Sequence, residues 1–481
     1  MRHRLLNWLG WSGLETVGRL AMLTAGTAVL SRCLSPRDFG VAALALTVAT
    51  AASITVGAPF EEALAQRKVL RLVHLRAALS ACWLASLAWF VVSIPLGLAL
   101  AWAYDEREIA LLLPASMVSI FFVGHSDILS GLVRRQRHFT DLSIATLIGN
   151  AGGVSVSIVI ALVGGGVWAL IAQYVLVAAI RALALQARMD ILILPSRSLG
   201  HLRDLVRYAG VSLVDRLLED LTYLAFNYVV GGAYGLNTLG QVNMAMRLVE
   251  PIRGAISATS HNVVFSFYAR LQHDHVRLGE RARSVTAHAA LAITPIFVGL
   301  ATVTPVLLPL VAGSGWEPAI PIAICLAIGS AIVIPARLIF TALSASALPE
   351  YKLIANIAGF AGTLAVLIFG AGMGAFSVGV ARIVGDLLPA MIAIGVSPRL
   401  LGWTRRGRFF ALAPAWGLAT AMGIFVVGFD RAIPGFGHPL QLTLSVGLGI
   451  AVYGVFLLLF APRLISDLVA LFAARAKPAQ G

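Results

Sequence analysis

The chain has 481 residues, 59% of them hydrophobic and 12% charged, with a mean hydropathy of +0.88 and a net charge of +14. Soluble domains carry about 25% charged residues, and a core grows too slowly with length to hide this much apolar surface, so a soluble globular protein is excluded. The basic excess lies in short loops between apolar runs and not on one polar face, which excludes nucleic acid as the partner.

The start, Met1-Arg2-His3-Arg4, is a basic region followed by an apolar run that holds Glu15 and Arg19. It lacks a clean cleavage site and reads as a retained first helix, not a signal peptide. A membrane span needs about 20 mostly apolar residues. Fourteen runs meet this, at 11–32, 39–59, 77–101, 109–132, 141–163, 166–186, 208–230, 236–262, 285–311, 318–343, 352–371, 375–396, 409–429 and 440–462. They are continuous and not alternating, which predicts helices and not a barrel. The fold class is therefore an all-α polytopic membrane protein with about 14 transmembrane helices.

Orientation follows from Lys and Arg, which favour cytoplasmic loops. With the N-terminus inside, the outer loops hold only Arg32, Arg37, Arg107 and Arg431, and the spans hold Arg19, Arg216, Arg247, Arg253, Arg337 and Arg382. The other 26 of the 36 basic residues fall on the inside. This predicts cytoplasmic termini and an even number of crossings.

The largest break, 187–207, is polar and basic and contains Pro195. It reads as an amphipathic cytoplasmic linker between an N-terminal lobe, 1–186 (helices 1–6), and a C-terminal lobe, 208–400 (helices 7–12). Residues 401–481 hold helices 13 and 14 and a cytoplasmic tail. A faint repeat supports two lobes: Leu34-Ser35-Pro36-Arg37-Asp38-Phe39-Gly40 opens the second run, and Leu239-Gly240 opens the eighth. Six helices per lobe make such a repeat parallel.

Ionisable groups at a helix centre cost about 2.5–3.5 kcal/mol on insertion scales, so each is a functional candidate. The runs hold Glu15 and Arg19; His125 and Asp127; Asp215, Arg216, Glu219 and Asp220; Arg247, Glu250 and Arg253; Arg337; and Arg382 and Asp386. Glu15/Arg19, Arg216/Asp220 and Arg382/Asp386 are spaced i,i+4, and Arg247/Glu250 and Glu250/Arg253 i,i+3, so each pair shares a helix face. Pairs of this kind either hold helices together or line a water-filled cavity. In the cavity reading, Arg19, Arg216, Arg247, Arg253 and Arg382 offer bidentate forks to a phosphate-bearing head group. Asp215, Glu219, Asp220, Glu250 and Asp386 are then the candidates for exchanging protons or holding sodium. Gly149, Gly152 and Gly153 predict close helix packing, and Pro295, Pro305, Pro309 and Pro335 predict kinks.

Three cysteines, Cys33, Cys82 and Cys325, lie far apart with no C-x-x-C, so no disulfide framework or metal site is expected. No G-x-x-x-x-G-K-[ST] occurs, so no nucleotide hydrolysis by that loop is expected. Nor is there an H-E-x-x-H, a G-x-S-x-G or a long extramembrane loop, and the chain reads as no enzyme and as needing no cofactor.

Several stretches resemble bacterial polysaccharide flippases. These are Leu34 to Gly40 with Ala65-Gln66-Arg67-Lys68, Arg134-Arg135-Gln136-Arg137-His138-Phe139, Thr238-Leu239-Gly240 with Ala245-Met246-Arg247-Leu248 and Pro251, Phe265 to Gln272, and Gly315-Trp316-Glu317-Pro318-Ala319. In this order they resemble the polysaccharide transporter branch of the MOP exporter superfamily. The resemblance implies a MOP-like fold of two six-helix lobes plus two extra C-terminal helices. It also implies flipping of a polyprenyl-diphosphate-linked oligosaccharide across the inner membrane for exopolysaccharide, capsule or lipopolysaccharide, by alternating access without ATP. Partners would be that lipid-linked oligosaccharide, membrane lipids, the polysaccharide polymerase and the export machinery. Arg247 lies inside a matching motif. A Pro expected near Ser266 is missing, which leaves a kink there in question. A cation-coupled multidrug exporter of the same superfamily, which should have an acidic cavity, and a membrane polysaccharide polymerase are the competing readings.

Overall fold

The computed structural model describes residues 2–57, 60–61, 64, 71–136, 138–189, 194–195, 221–271, 274–345, 350–370, 372, 374–432 and 437–460. Among these the regular structure is helical throughout. The helices are α1 (Arg2–Cys33), α2 (Pro36–Val56), α3 (Leu72–Ala103), α4 (Ile109–Gln136), α5 (Phe139–Leu162), α6 (Trp168–Gln186), α7 (residues 221–234), α8 (Leu236–Tyr268), α9 (His275–Ala312), α10 (Ala319–Ala345), α11 (Glu350–Phe369), α12 (Ala375–Leu401), α13 (Arg405–Ala432) and α14 (His438–Phe460). Each predicted run has its helix. Eleven helices among the described residues are long and apolar enough to cross a membrane. The linker at 187–207 lies mostly outside the described residues, as does the first part of the seventh run.

Local chemistry explains the boundaries. Ser35 caps α2 in a capping box, in which the Asp38 N–H donates to Ser35 Oγ at 3.3 Å and the Ser35 N–H donates to Asp38 Oδ2 at 2.8 Å. Pro36 stands at the first helical position, where no backbone N–H is needed. Between α7 and α8 the turn is Gly235 alone, at φ +86°, a conformation that side chains resist. The prolines in α9 and α10 do not end those helices. Residues 261–268 also stay helical, without the proline expected there.

The chain divides into two compact units, Met1–Met244 with Ala312–Gly315, and Ala245–Val311 with Trp316–Gly481. In the first, α3 and α2 pack on α4, α4 on α6, α6 on α5 and α5 on α1. The α5–α6 seam is closed by glycine: a Cβ on Gly149 or Gly153 would collide with the Val177 backbone, and one on Gly152 with Ile180. One hydrophobic core of this unit joins Val56, Leu75, Leu79, Cys82, Ile128 and Leu129.

A second close approach in this unit sits where α2 and α8 begin. A Cβ on Gly40 would strike the Leu236 carbonyl, and one on Gly240 would strike the Pro36 carbonyl. The two helix starts therefore cross glycine-to-backbone, each in the same way.

In the second unit α12 packs on α10 and α11, repeating the α6 contacts with α4 and α5. The start of α9 lies on the end of α12, where Gly402 takes a left-handed φ of 65° and Trp403 Nε1 donates to the Gly279 carbonyl at 2.8 Å. Helices α13 and α14 attach to α9 through Ala290, Leu291 and Ala415, and Tyr453 Oη donates to the Leu291 carbonyl at 2.7 Å.

Exposure separates inner from outer helices. The most apolar stretch of α10 is 72% buried and that of α2 67%, against 17% for α3 and for α14. Helix α3 leaves Leu84, Leu87, Val91, Leu98 and Trp102 uncovered. Side chains of this size and number need a hydrocarbon solvent, so the chain is a multi-pass membrane protein.

Candidate functional site

The ionisable groups inside the helices of the second unit meet one another. Arg253 on α8 grips Asp386 on α12 with a bidentate fork, Nη1 to Oδ2 at 2.9 Å and Nη2 to Oδ1 at 2.8 Å. Only 8% and 9% of the two side chains stay exposed. Gly329 on α10 makes room, since a Cβ there would come within 2.8 Å of Asp386 Oδ2. Glu250 lies beside them: its Oε1 is 3.7 Å from Arg253 Nη1 and 3.6 Å from Arg382 Nη2. Helices α8 and α12 thus bring together two guanidiniums and two carboxylates. Arg247 is half-buried on the same helix as Glu250, and Arg337 on α10 is exposed.

This differs from the pairing that spacing predicts. Asp386 is four residues from Arg382 but bonds Arg253, 133 residues away in sequence. The reason is geometric: a fork from a facing helix gives two parallel charge-assisted bonds in a dry site, which a side chain on the same helix face cannot match. Arg382 then turns to Glu250.

In the first unit the corresponding groups bond neutral partners. Glu15 accepts a hydrogen bond from Ser143 Oγ on α5 at 2.6 Å and does not pair with Arg19, which is exposed on α1. Arg181 donates to Ser130 Oγ at 3.2 Å, and His125 Nε2 meets Gln186 Oε1 at 3.2 Å. Arg181 lies within α6. Asn227 on α7 donates to Thr47 on α2 at 2.9 Å, and Tyr174 bonds Thr50 at 3.3 Å. Asp127 presses on the end of α2, where a Cβ on Gly57 would collide with it. Ion pairs in this unit sit at helix ends instead: Arg37 with Glu106 at 2.6 Å, Arg134 with Glu61 at 3.0 Å, and Arg188 with Asp141.

The structure therefore brings Arg253, Asp386, Glu250 and Arg382 together in the second unit, while Arg19 belongs to the first. Asp215, Arg216, Glu219 and Asp220 lie outside the described residues. Among the described residues no three His, Cys, Asp or Glu side chains gather as a metal site would need. Sequence reasoning missed Ser143 and Asn227. Both were visible only as polar residues in apolar runs, with nothing local to name their partners.

The fold, fourteen helices among the described residues in two compact units, has counterparts among solved structures. The structure resembles the lipid II flippase MurJ in an inward closed conformation, with a TM-score of 0.73 at 12% identity over 96% of this chain and 100% of that one. It also resembles an inward-facing multidrug resistance MATE family transporter of the MOP superfamily, with a TM-score of 0.60 at 13% identity over 80% of this chain and 94% of that one. Residues 29–321 match the polysaccharide biosynthesis protein family, and the chain belongs to that family. A relative is the succinoglycan biosynthesis transport protein ExoT of Rhizobium meliloti (strain 1021), 27% identical over 335 residues. That alignment covers 68% of this chain and 66% of the relative, just under two thirds of its length.

Proposed function

We propose that the protein flips or exports a polyprenyl-diphosphate-linked oligosaccharide across the bacterial inner membrane, by alternating access, for exopolysaccharide, capsule or lipopolysaccharide synthesis. Family membership across residues 29–321 carries this reading. The likeness in fold to a lipid II flippase supports it, as does the succinoglycan transport role that the relative's name gives it. Intramembrane arginines suit a diphosphate better than the cations that a multidrug exporter would carry. In this reading Arg19, Arg216, Arg247 and Arg382 meet the diphosphate, and Arg253 is held back by Asp386. Coupling to an ion gradient falls to Asp215, Glu219 and Asp220. Fourteen crossings with both termini in the cytoplasm, two six-helix lobes and two added helices complete the proposal. Polymerase and export machinery would act downstream on the other face.

The test is genetic and chemical together. Cells lacking the chain should stop exporting polymer and accumulate the lipid-linked oligosaccharide on the cytoplasmic leaflet. Arg247→Ala and Arg382→Ala should reproduce this while the protein still accumulates in the membrane. Normal export in the deletion would end the reading. For topology, reporters fused after Lys477 and within 104–108 should report opposite sides, and the same side for both would end that part.

A further inference from the structure

The four-residue network in the second unit is held unequally. Arg253 and Asp386 are locked by two short bonds and are almost fully desolvated. Breaking such a pair strands a buried charge, at a cost of several kcal/mol. Glu250 is different in each respect. A single oxygen, Oε1, faces both guanidiniums, at 3.6 and 3.7 Å, beyond hydrogen-bond length. Its side chain is 36% exposed, against 17% for Arg382. Loose, exposed ion pairs are worth about 0–1 kcal/mol. The helical ladder around it is also weakened, because Pro251 has no N–H to donate.

From this asymmetry we propose that Glu250 is an exchangeable occupant: its carboxylate keeps the place that a substrate phosphate takes on Arg382, and the phosphate displaces it. This rests on the flippase reading above and adds the switch within that site. With Glu250 in place the four charges cancel. When it swings to its exposed side, Arg382 loses one carboxylate neighbour, and two oxygens of a phosphate take that place with a bidentate geometry that the single Oε1 does not reach. Asp386 stays on Arg253 throughout. Release runs in reverse: the returning carboxylate competes for Arg382 and limits how tightly the diphosphate is held, which a transporter needs if its cargo is to leave.

The experiment uses the full chain in detergent or nanodiscs, with farnesyl diphosphate as the probe and farnesol as its neutral counterpart. Glu250→Gln removes the competing charge and keeps the size. It should bind farnesyl diphosphate about tenfold tighter, bind farnesol unchanged, and export polymer more slowly in cells. Arg382→Gln should lose the diphosphate binding. If Glu250→Gln fails to accumulate, Glu250→Asp, which draws the same charge back by one carbon, must still tighten diphosphate binding. Unchanged or weaker diphosphate binding in a folded Glu250 variant, with wild-type binding intact, would overturn the exchange alone. A wild-type protein that binds no diphosphate, from cells whose export survives its deletion, would overturn the flippase reading and the exchange with it.

Discussion

Among the described residues, the two units hold ionisable side chains inside a membrane bundle in opposite ways. In the first, Glu15, Arg181 and His125 lean on Ser143, Ser130 and Gln186, all neutral. In the second, Arg253, Asp386, Glu250 and Arg382 lean on each other. Neutral bonding leaves each group nearly independent, since removing a hydroxyl unbalances no charge. Ionic bonding makes Arg253 and Asp386 depend on each other, because either one removed leaves the other uncompensated in a dry place. The close fits do not divide in this way: glycine meets backbone at Gly40 and Gly240 in the first unit and at Gly279 and Gly359 in the second, and glycine faces a carboxylate at Gly57 and at Gly329. Among the described residues the units thus differ in how charge is held, not in how closely backbones approach.

Substitutions at three places probe that contrast. The largest effect is expected from Asp386→Asn, which leaves Arg253 without its counter-charge and should cost about 3–5 kcal/mol, read as lost membrane accumulation and a lower melting temperature. Arg253→Leu combined with Asp386→Leu should restore accumulation. A double variant no more stable than Asp386→Asn would show that the pair's charge balance is not what holds α8 to α12. Next comes Gly240→Leu, which drives a side chain into the Pro36 carbonyl and should cost about 1–3 kcal/mol with no charge involved. Full thermal stability there would mean the crossing is not close. The smallest is Ser143→Ala, which takes one hydrogen bond from Glu15, half-buried and within reach of water, at about 1 kcal/mol. If Ser143→Ala were as damaging as Asp386→Asn, the contrast between the units would collapse.

The helices were legible because their cause is local. Apolar length alone marks each run, and the Ser35–Asp38 cap is written within four residues. The glycine seam at 149–153 was legible for the same reason. What spacing could not supply was partnership across the fold. Arg382 and Asp386 share a helix face, so i,i+4 logic joins them, yet the facing helix offers Asp386 a better donor in Arg253. Glu15 and Arg19 fail as a pair in the same way, because Ser143 lies closer to the carboxylate than the arginine's exposed position allows. A single chain carries no record of which helices will be neighbours. The charged network was readable as a set of costly residues and not as a set of bonds.

The crossing of α2 and α8 carries a consequence of symmetry. Pro36 meets Gly240 as Leu236 meets Gly40, and in each helix start the glycine follows the contacting carbonyl by four residues. An isologous contact of this kind is what two identical subunits make about a two-fold axis. Two identical subunits making this contact would feel every substitution in the patch twice. In a single chain that doubling of effects does not arise, and position 40 and position 240 can change separately.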